Sequence, residues 1–140
     1  MVLAFDARQA TRDVDGIFEP KSEVHKAARK VAAALALPDD WLNDAVKAYV
    51  PGTDPSAIPV FEKPGLKVTA ASARFMLAMK LRAARVEQDA SDIEFLASLL
   101  GLRSAEEVLE VGIERYGDAN LPVRARYLVD DLFMEQKDES

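Results

Sequence analysis

Every apolar series beyond Ala70 recurs at helical spacing, while the strand-like segments are confined to the first seventy residues. Ser72 to Val86 and Ala90 to Leu100 read as two helices. Ser104-Ala105-Glu106-Glu107 opens a third as a capping box, with Val108, Val111 and Tyr116 along it. Asn120 and Pro122 start the last, whose apolar face carries Ala125, Leu128, Val129, Leu132 and Phe133. The polar residues from Glu135 onward are expected to fray. This order predicts an α+β fold in one domain over 1–140: a small sheet in 1–70, a helical part in 71–135 and a frayed tail at 136–140.

The first half is more varied. Met1-Val2-Leu3-Ala4-Phe5 is apolar with no polar lead-in, so it reads as the middle of an element. Thr11-Arg12-Asp13-Val14-Asp15-Gly16 reads as a short strand, and Gly16 to Pro20 turn the chain. Val24, Ala27, Ala28, Val31 and Leu35 then mark an amphipathic helix that Pro38 ends. Asp39 or Asp40 is placed to cap a second, short helix carrying Trp41, Leu42, Ala45, Val46 and Tyr49, closed by Pro51-Gly52. After a loop to Pro59, Val60-Phe61-Glu62 and Leu66-Lys67-Val68-Thr69-Ala70 are predicted strands joined by Lys63-Pro64-Gly65.

Composition narrows the chemistry. With 140 residues, 49% of them hydrophobic, the chain can bury a core of its own. It has no cysteine, which excludes disulfides, thiolate metal sites and cysteine nucleophiles, and its single histidine, His25, sits among lysines on a polar helix face as expected surface decoration. Any bound metal must therefore take oxygen ligands. A net charge of −6 argues against a broad grip on a nucleic acid backbone and is easier to reconcile with a small nucleotide arriving with its own Mg²⁺. The apolar run Val31 to Leu37 is too short to cross a bilayer, and Asp6 interrupts an N-terminus without a basic leader region, so a soluble, cytoplasmic protein with no membrane partner is expected.

Three groups of residues carry possible chemistry. Asp13 and Asp15 alternate on the first strand, which sends both to one face roughly 6.6 Å apart, where their repulsion is about 2 to 3 kcal/mol at an effective dielectric near 20. A divalent cation would remove that cost, and paired aspartates suit Mg²⁺; a solvated strand end is the alternative. Lys80 has Met76 and Leu77 one turn before it and Ala83 and Ala84 one turn after, so it lies in an apolar stripe. It is either a snorkelling structural lysine or a cation at a cleft edge, where phosphate oxygens or the Asp13/Asp15 carboxylates would be its partners. Asp89 and Asp92 follow; one reading makes them an N-cap and its acidic N3 residue, the other has one carboxylate orient Lys80 or help deprotonate an attacking hydroxyl. Trp41 reads as core.

Taken in order, Arg8-Gln9-Ala10-Thr11-Arg12-Asp13-Val14-Asp15, Asp40-Trp41-Leu42-Asn43, Leu77 to Arg85, and Asp89-Ala90-Ser91-Asp92-Ile93 resemble the nucleotidyltransferase-like family, in the branch of AbiEii-type toxins and DUF6036 proteins. The resemblance implies a polymerase-palm-like mixed sheet, Mg²⁺ on Asp13 and Asp15, and transfer of a nucleoside monophosphate from a nucleoside triphosphate to a hydroxyl of an RNA, a protein or a small molecule. Lys80 would match the lysine of the family's K-x-x-A-x-R helix, Lys80 and Arg85 would meet the nucleotide, and Asp89 or Asp92 would match the later aspartate. A toxin-antitoxin or phage-defence module is the implied setting. One departure stands out: the family's Gly-Gly or Gly-Ser motif precedes R-x-x-T-x-D-x-D, whereas every glycine here, from Gly16 onward, lies downstream of the aspartates. The strand Leu66 to Ala70 also lacks the acidic residue many relatives place there, with Glu62 the nearest substitute. These departures lead to two expectations, a start upstream of Met1 or a shortened, inactive relative that binds a partner chain or a second copy through its apolar N-terminus.

Overall fold

The computed structural model describes residues 14–44 and 52–139, which fall in two compact units divided at 50/51. Both contain helix and strand, so the chain is a mixed α and β protein.

In the unit containing 14–44, β1 (Val14–Asp15) pairs in parallel with β2 (Leu42–Asn43), in the register Val14 to Leu42 and Asp15 to Asn43. Between them runs α1 (Lys21–Leu35), which buries Ala28 and Ala32. The short helix expected from Trp41 is not present over Leu42–Asn43. The main-chain carbonyls of Trp41 and Asn43 instead accept from the Val14 and Gly16 amides at 2.6 and 2.9 Å, and the Trp41 indole N–H donates to the Ala28 carbonyl at 2.9 Å. A short apolar run fits a helix or a strand equally well, and at Leu42–Asn43 pairing with β1 decides. The remainder of that expected helix, 45–51, lies outside the described residues. Trp41 is half-buried. His25 is not mere surface decoration: its half-buried ring meets Phe18 edge-on, with centroids 5.1 Å apart. Lys21 bridges to Asp44 at 2.6 Å, and that hydrogen bond holds the Asp44 carboxyl below its ordinary range.

The unit containing 52–139 begins with a hairpin of β3 (Ile58–Lys63) and β4 (Leu66–Ala70), as expected from the sequence. Pro64 and Gly65 make its turn, Gly65 at a φ of 83° that a side chain would resist. Two helices, α2 (Ala73–Ala83) and α3 (Val86–Leu99), follow, then α4 (Ala105–Tyr116), a 3₁₀ turn at Asp118–Asn120 and α5 (Val123–Asp138). Leu77, Leu81, Ile93, Leu96, Val108 and Val129 are fully buried at the centre of this bundle. Gly112 sits inside α4 because the chain packs tightly there: a Cβ would lie 3.0 to 3.2 Å from Leu121 and Leu81.

The helix starts follow local chemistry. Ser72 caps α2 by accepting from the Phe75 amide, and its own N–H and hydroxyl donate to Asp54 at 2.7 and 2.9 Å. Ser104 accepts from the Glu107 amide, as the capping box requires, while the Glu107 carboxylate accepts from the Arg103 amide at 2.6 Å, one residue before the Ser104 amide of a full box. Two boundaries differ from expectation. The helix read as Ser72 to Val86 breaks at Ala84, and Val86 already belongs to α3; at the other end, α5 continues through Glu135 to Asp138 where a frayed tail was expected. Among the described residues, the strands form two separate pairs rather than one mixed sheet.

Ala36 ends α1 in the left-handed region, with φ 53° and ψ 45°, a conformation that crowds its Cβ. Ala36→Gly removes that crowding at an exposed position and should raise stability by about 0.5 to 1 kcal/mol, read as a higher urea midpoint with an unchanged slope.

Candidate functional site

Ala84 and Arg85 alone separate α2 from α3, so the second helix turns back over the last turn of the first. Ala84 makes the reversal in the left-handed region (φ 45°), fully buried, and its amide bonds the Lys80 carbonyl at 2.7 Å. Leu77 and Leu81 are drawn into the core on one side of α2, Ile93 and Leu96 on the facing side of α3. This packing brings Lys80, nine and twelve residues before Asp89 and Asp92, onto the side of α3 that carries both carboxylates.

The Lys80 ammonium lies 3.0 Å from Asp89 Oδ1 and 2.8 Å from Asp92 Oδ2. Its side chain is 18% exposed, against 0% for Asp89 and 5% for Asp92, so the ammonium is held by carboxylates instead of snorkelling to water. Asp89 accepts further bonds on Oδ2 from the Arg85 amide at 3.0 Å and from Arg85 Nε at 3.1 Å, and on Oδ1 from the second guanidinium nitrogen at 3.2 Å. The Arg85 side chain is 58% exposed, so water screens its charge, and the buried hold on Asp89 rests mainly on Lys80 and the Arg85 amide. Burial pushes the Asp89 carboxyl up, but the hydrogen bonds from Arg85 and Lys80 outweigh it and leave the group below its ordinary value of 3.8.

Asp89 is therefore not the N-cap that its spacing suggested. Arg85 occupies the cap position without a side-chain bond, and Asp89 lies within α3, its carboxylate returning to the Arg85 amide. The structure thus brings together four of the residues singled out from the sequence: Lys80, Arg85, Asp89 and Asp92. An ammonium has three N–H donors, two of which are directed at these carboxylates. What the arrangement offers chemically is a fixed ammonium whose charge is exceeded by that of its two carboxylates and balanced only with Arg85, so it acts through directed N–H donors more than through free positive charge.

Asp15 is exposed on β1, and Asp13 lies outside the described residues, so the spacing of the proposed Mg²⁺ pair is not described. Among the described residues, no group of three or more His, Cys, Asp or Glu side chains is arranged to hold a metal ion. Glu62 stands opposite Lys67 across the hairpin.

Sequence reasoning missed Arg124. From the first turn of α5 it donates to the Ala84 carbonyl at 3.1 Å and to the Ala83 carbonyl at 2.9 Å, capping the end of α2 where the chain reverses. Its targets are main-chain atoms forty and forty-one residues away, and no local pattern announces such a contact. No protein-family model, curated protein or solved structure matches this chain.

Two outcomes follow from the cluster. Lys80→Met leaves two buried carboxylates without their shared cation and should lower stability by about 3 kcal/mol, measured by urea unfolding at neutral pH. Because the folded Asp89 carboxyl lies below 3.8, its stabilisation is complete above that value and is lost as pH falls through the lower, folded value. Wild type should accordingly lose urea resistance more steeply than Asp89→Asn as pH falls from about 4 toward 2, and parallel curves would remove Asp89 from the acid response.

Proposed function

We propose that the chain is a nucleotidyltransferase-like protein of palm-like type that moves a nucleoside monophosphate from a nucleoside triphosphate to a hydroxyl acceptor on RNA or protein, within a toxin-antitoxin or phage-defence module. The observation that supports this reading is the assembly of Lys80, Arg85, Asp89 and Asp92, scattered through the helical motif of the resemblance, into one hydrogen-bonded group.

In this reading Asp13 and Asp15 hold Mg²⁺, which neutralises charge on the nucleotide when bound. The acceptor oxygen forms a bond to the α-phosphorus, the bond to the departing pyrophosphate breaks, and the hydroxyl proton leaves to Asp92 or to solvent. Lys80 gives its remaining N–H to a phosphate oxygen, with Arg85 beside it. Asp89, bonded on both oxygens and held in its charged form, keeps the ammonium in place and makes a poor base. Such transfers depend on positioning and charge neutralisation more than on covalent help from the protein.

Purified chain incubated with each α-labelled nucleoside triphosphate and Mg²⁺, with and without RNA, should transfer label. Asp13→Ala and Asp15→Ala should each reduce transfer by roughly a hundredfold or more without shifting the unfolding midpoint. Wild-type transfer by either variant would remove that residue from the metal site, and neither transfer nor nucleotide binding by the wild type would overturn the reading.

A further inference from the structure

Arg124 does more than close the end of α2, because its two acceptors belong to peptide units whose amides face the charged cluster. A peptide unit is planar, so the direction of its carbonyl fixes the direction of the N–H that follows. In the unit joining Ala83 to Ala84, the carbonyl accepts from Arg124 Nη2 at 2.9 Å and the Ala84 amide donates to the Lys80 carbonyl at 2.7 Å. In the next unit, the Ala84 carbonyl accepts from Arg124 Nε at 3.1 Å and the Arg85 amide donates to Asp89 Oδ2 at 3.0 Å. One guanidinium thus holds two consecutive peptide planes. The first is bonded to the residue that carries the ammonium, the second to a carboxylate that meets it.

The hold is needed because Ala84, between the two planes, has φ 45° and ψ 50°. That region is unfavourable for alanine, and relaxation toward the ordinary helical region would turn the second plane. Its carbonyl would then leave Arg124, and its N–H would leave Asp89. Asp89 is tied to Arg85 in a second way, since its own amide donates to the Arg85 carbonyl at 2.7 Å, so a shift of Arg85 carries the first turn of α3 with it. A cation on a carbonyl also polarises the peptide and strengthens the bond made by its N–H.

We infer that Arg124 is a positioning residue: through the 83–84 and 84–85 peptide planes it sets the geometry of the Lys80–Asp89 pair. The lever is donor geometry more than charge. A guanidinium presents a fixed fork that reaches two adjacent carbonyls at once, whereas a lysine in its place would offer a point charge on a flexible stem. The hold on the pair is independent of the transferase reading, its use in catalysis rests on that reading, and separate measurements address the two.

Amide and carboxyl NMR of the full chain, without nucleotide, tests the hold. In Arg124→Met the Arg85 amide should exchange roughly tenfold faster relative to the buried Leu96 amide, a ratio that a uniform loss of stability would leave unchanged. The Asp89 carboxyl, losing an N–H donor, should titrate at higher pH than in wild type; the charged groups around it, Lys80 from α2, Arg85 at the junction and Asp92 on its own helix, are all retained. Arg124→Lys, which keeps the charge, should show most of both changes and carries the comparison alone if Arg124→Met does not fold. Arg126→Met, on the same helix but bonded to Asp118, should resemble wild type. Wild-type exchange and titration in a folded Arg124→Met, full rescue by lysine, or an equal change in Arg126→Met would each overturn the proposal. In the transfer assay Arg124→Met should lower kcat by roughly tenfold or more, with KM for the nucleoside triphosphate changed less. Unchanged kcat beside the NMR changes would overturn the catalytic use of the hold, whereas an inactive wild type would overturn the transferase reading itself.

Discussion

One ammonium group serving two buried carboxylates is the constraint around which the helical unit is built. Asp89 and Asp92 share one buried partner in Lys80, and Lys80 would not stay within an apolar stripe without them. The geometry demands that α3 reverse over the end of α2 within two residues, which puts a non-glycine residue, Ala84, in the left-handed region and leaves the last carbonyls of α2 in need of a donor. Arg124 supplies it from α5. Ion cluster, strained junction and distant cap are in this sense one device.

Such a device favours a role in positioning. A lysine with two close carboxylates is a poor point charge for attracting an anion from solution, yet an N–H donor that cannot swing away suits a reaction whose demands are geometric. The Arg85 guanidinium, forked onto Asp89 from a largely exposed position, sits at the rim of the same cluster.

The sequence was legible where local rules act alone. The Ser104 box, the Pro64-Gly65 hairpin and the helical stripes of α4 and α5 follow from spacing and capping, and each is found near its expected place. It was less legible where a distant segment chooses between local options. Leu42 and Asn43 could belong to a helix until β1 claims them, and Asp89 imitates an N-cap until α2 returns to meet it. The break at Ala84 was hidden because alanine favours continuing a helix, and nothing in Leu81-Arg82-Ala83-Ala84-Arg85 announces a left-handed turn. Of the candidate site, the cluster members and one carboxylate beside Lys80 could be read from the sequence as an option, but not that both Asp89 and Asp92 share that lysine or that Arg85 joins them.

The contact made by Arg124 has a consequence for how such a protein diverges. Its acceptors are main-chain oxygens, which every residue provides, so a substitution at Ala83 leaves the acceptor in place. Arg124, by contrast, is tied to the geometry of two adjacent carbonyls and has no reciprocal side chain that could change in step with it. Coupling of this kind leaves no trace in paired substitutions. An approach that infers contacts from residues varying together would miss the brace across the α2–α3 junction, although it spans forty residues of sequence and secures the most highly charged part of the interior.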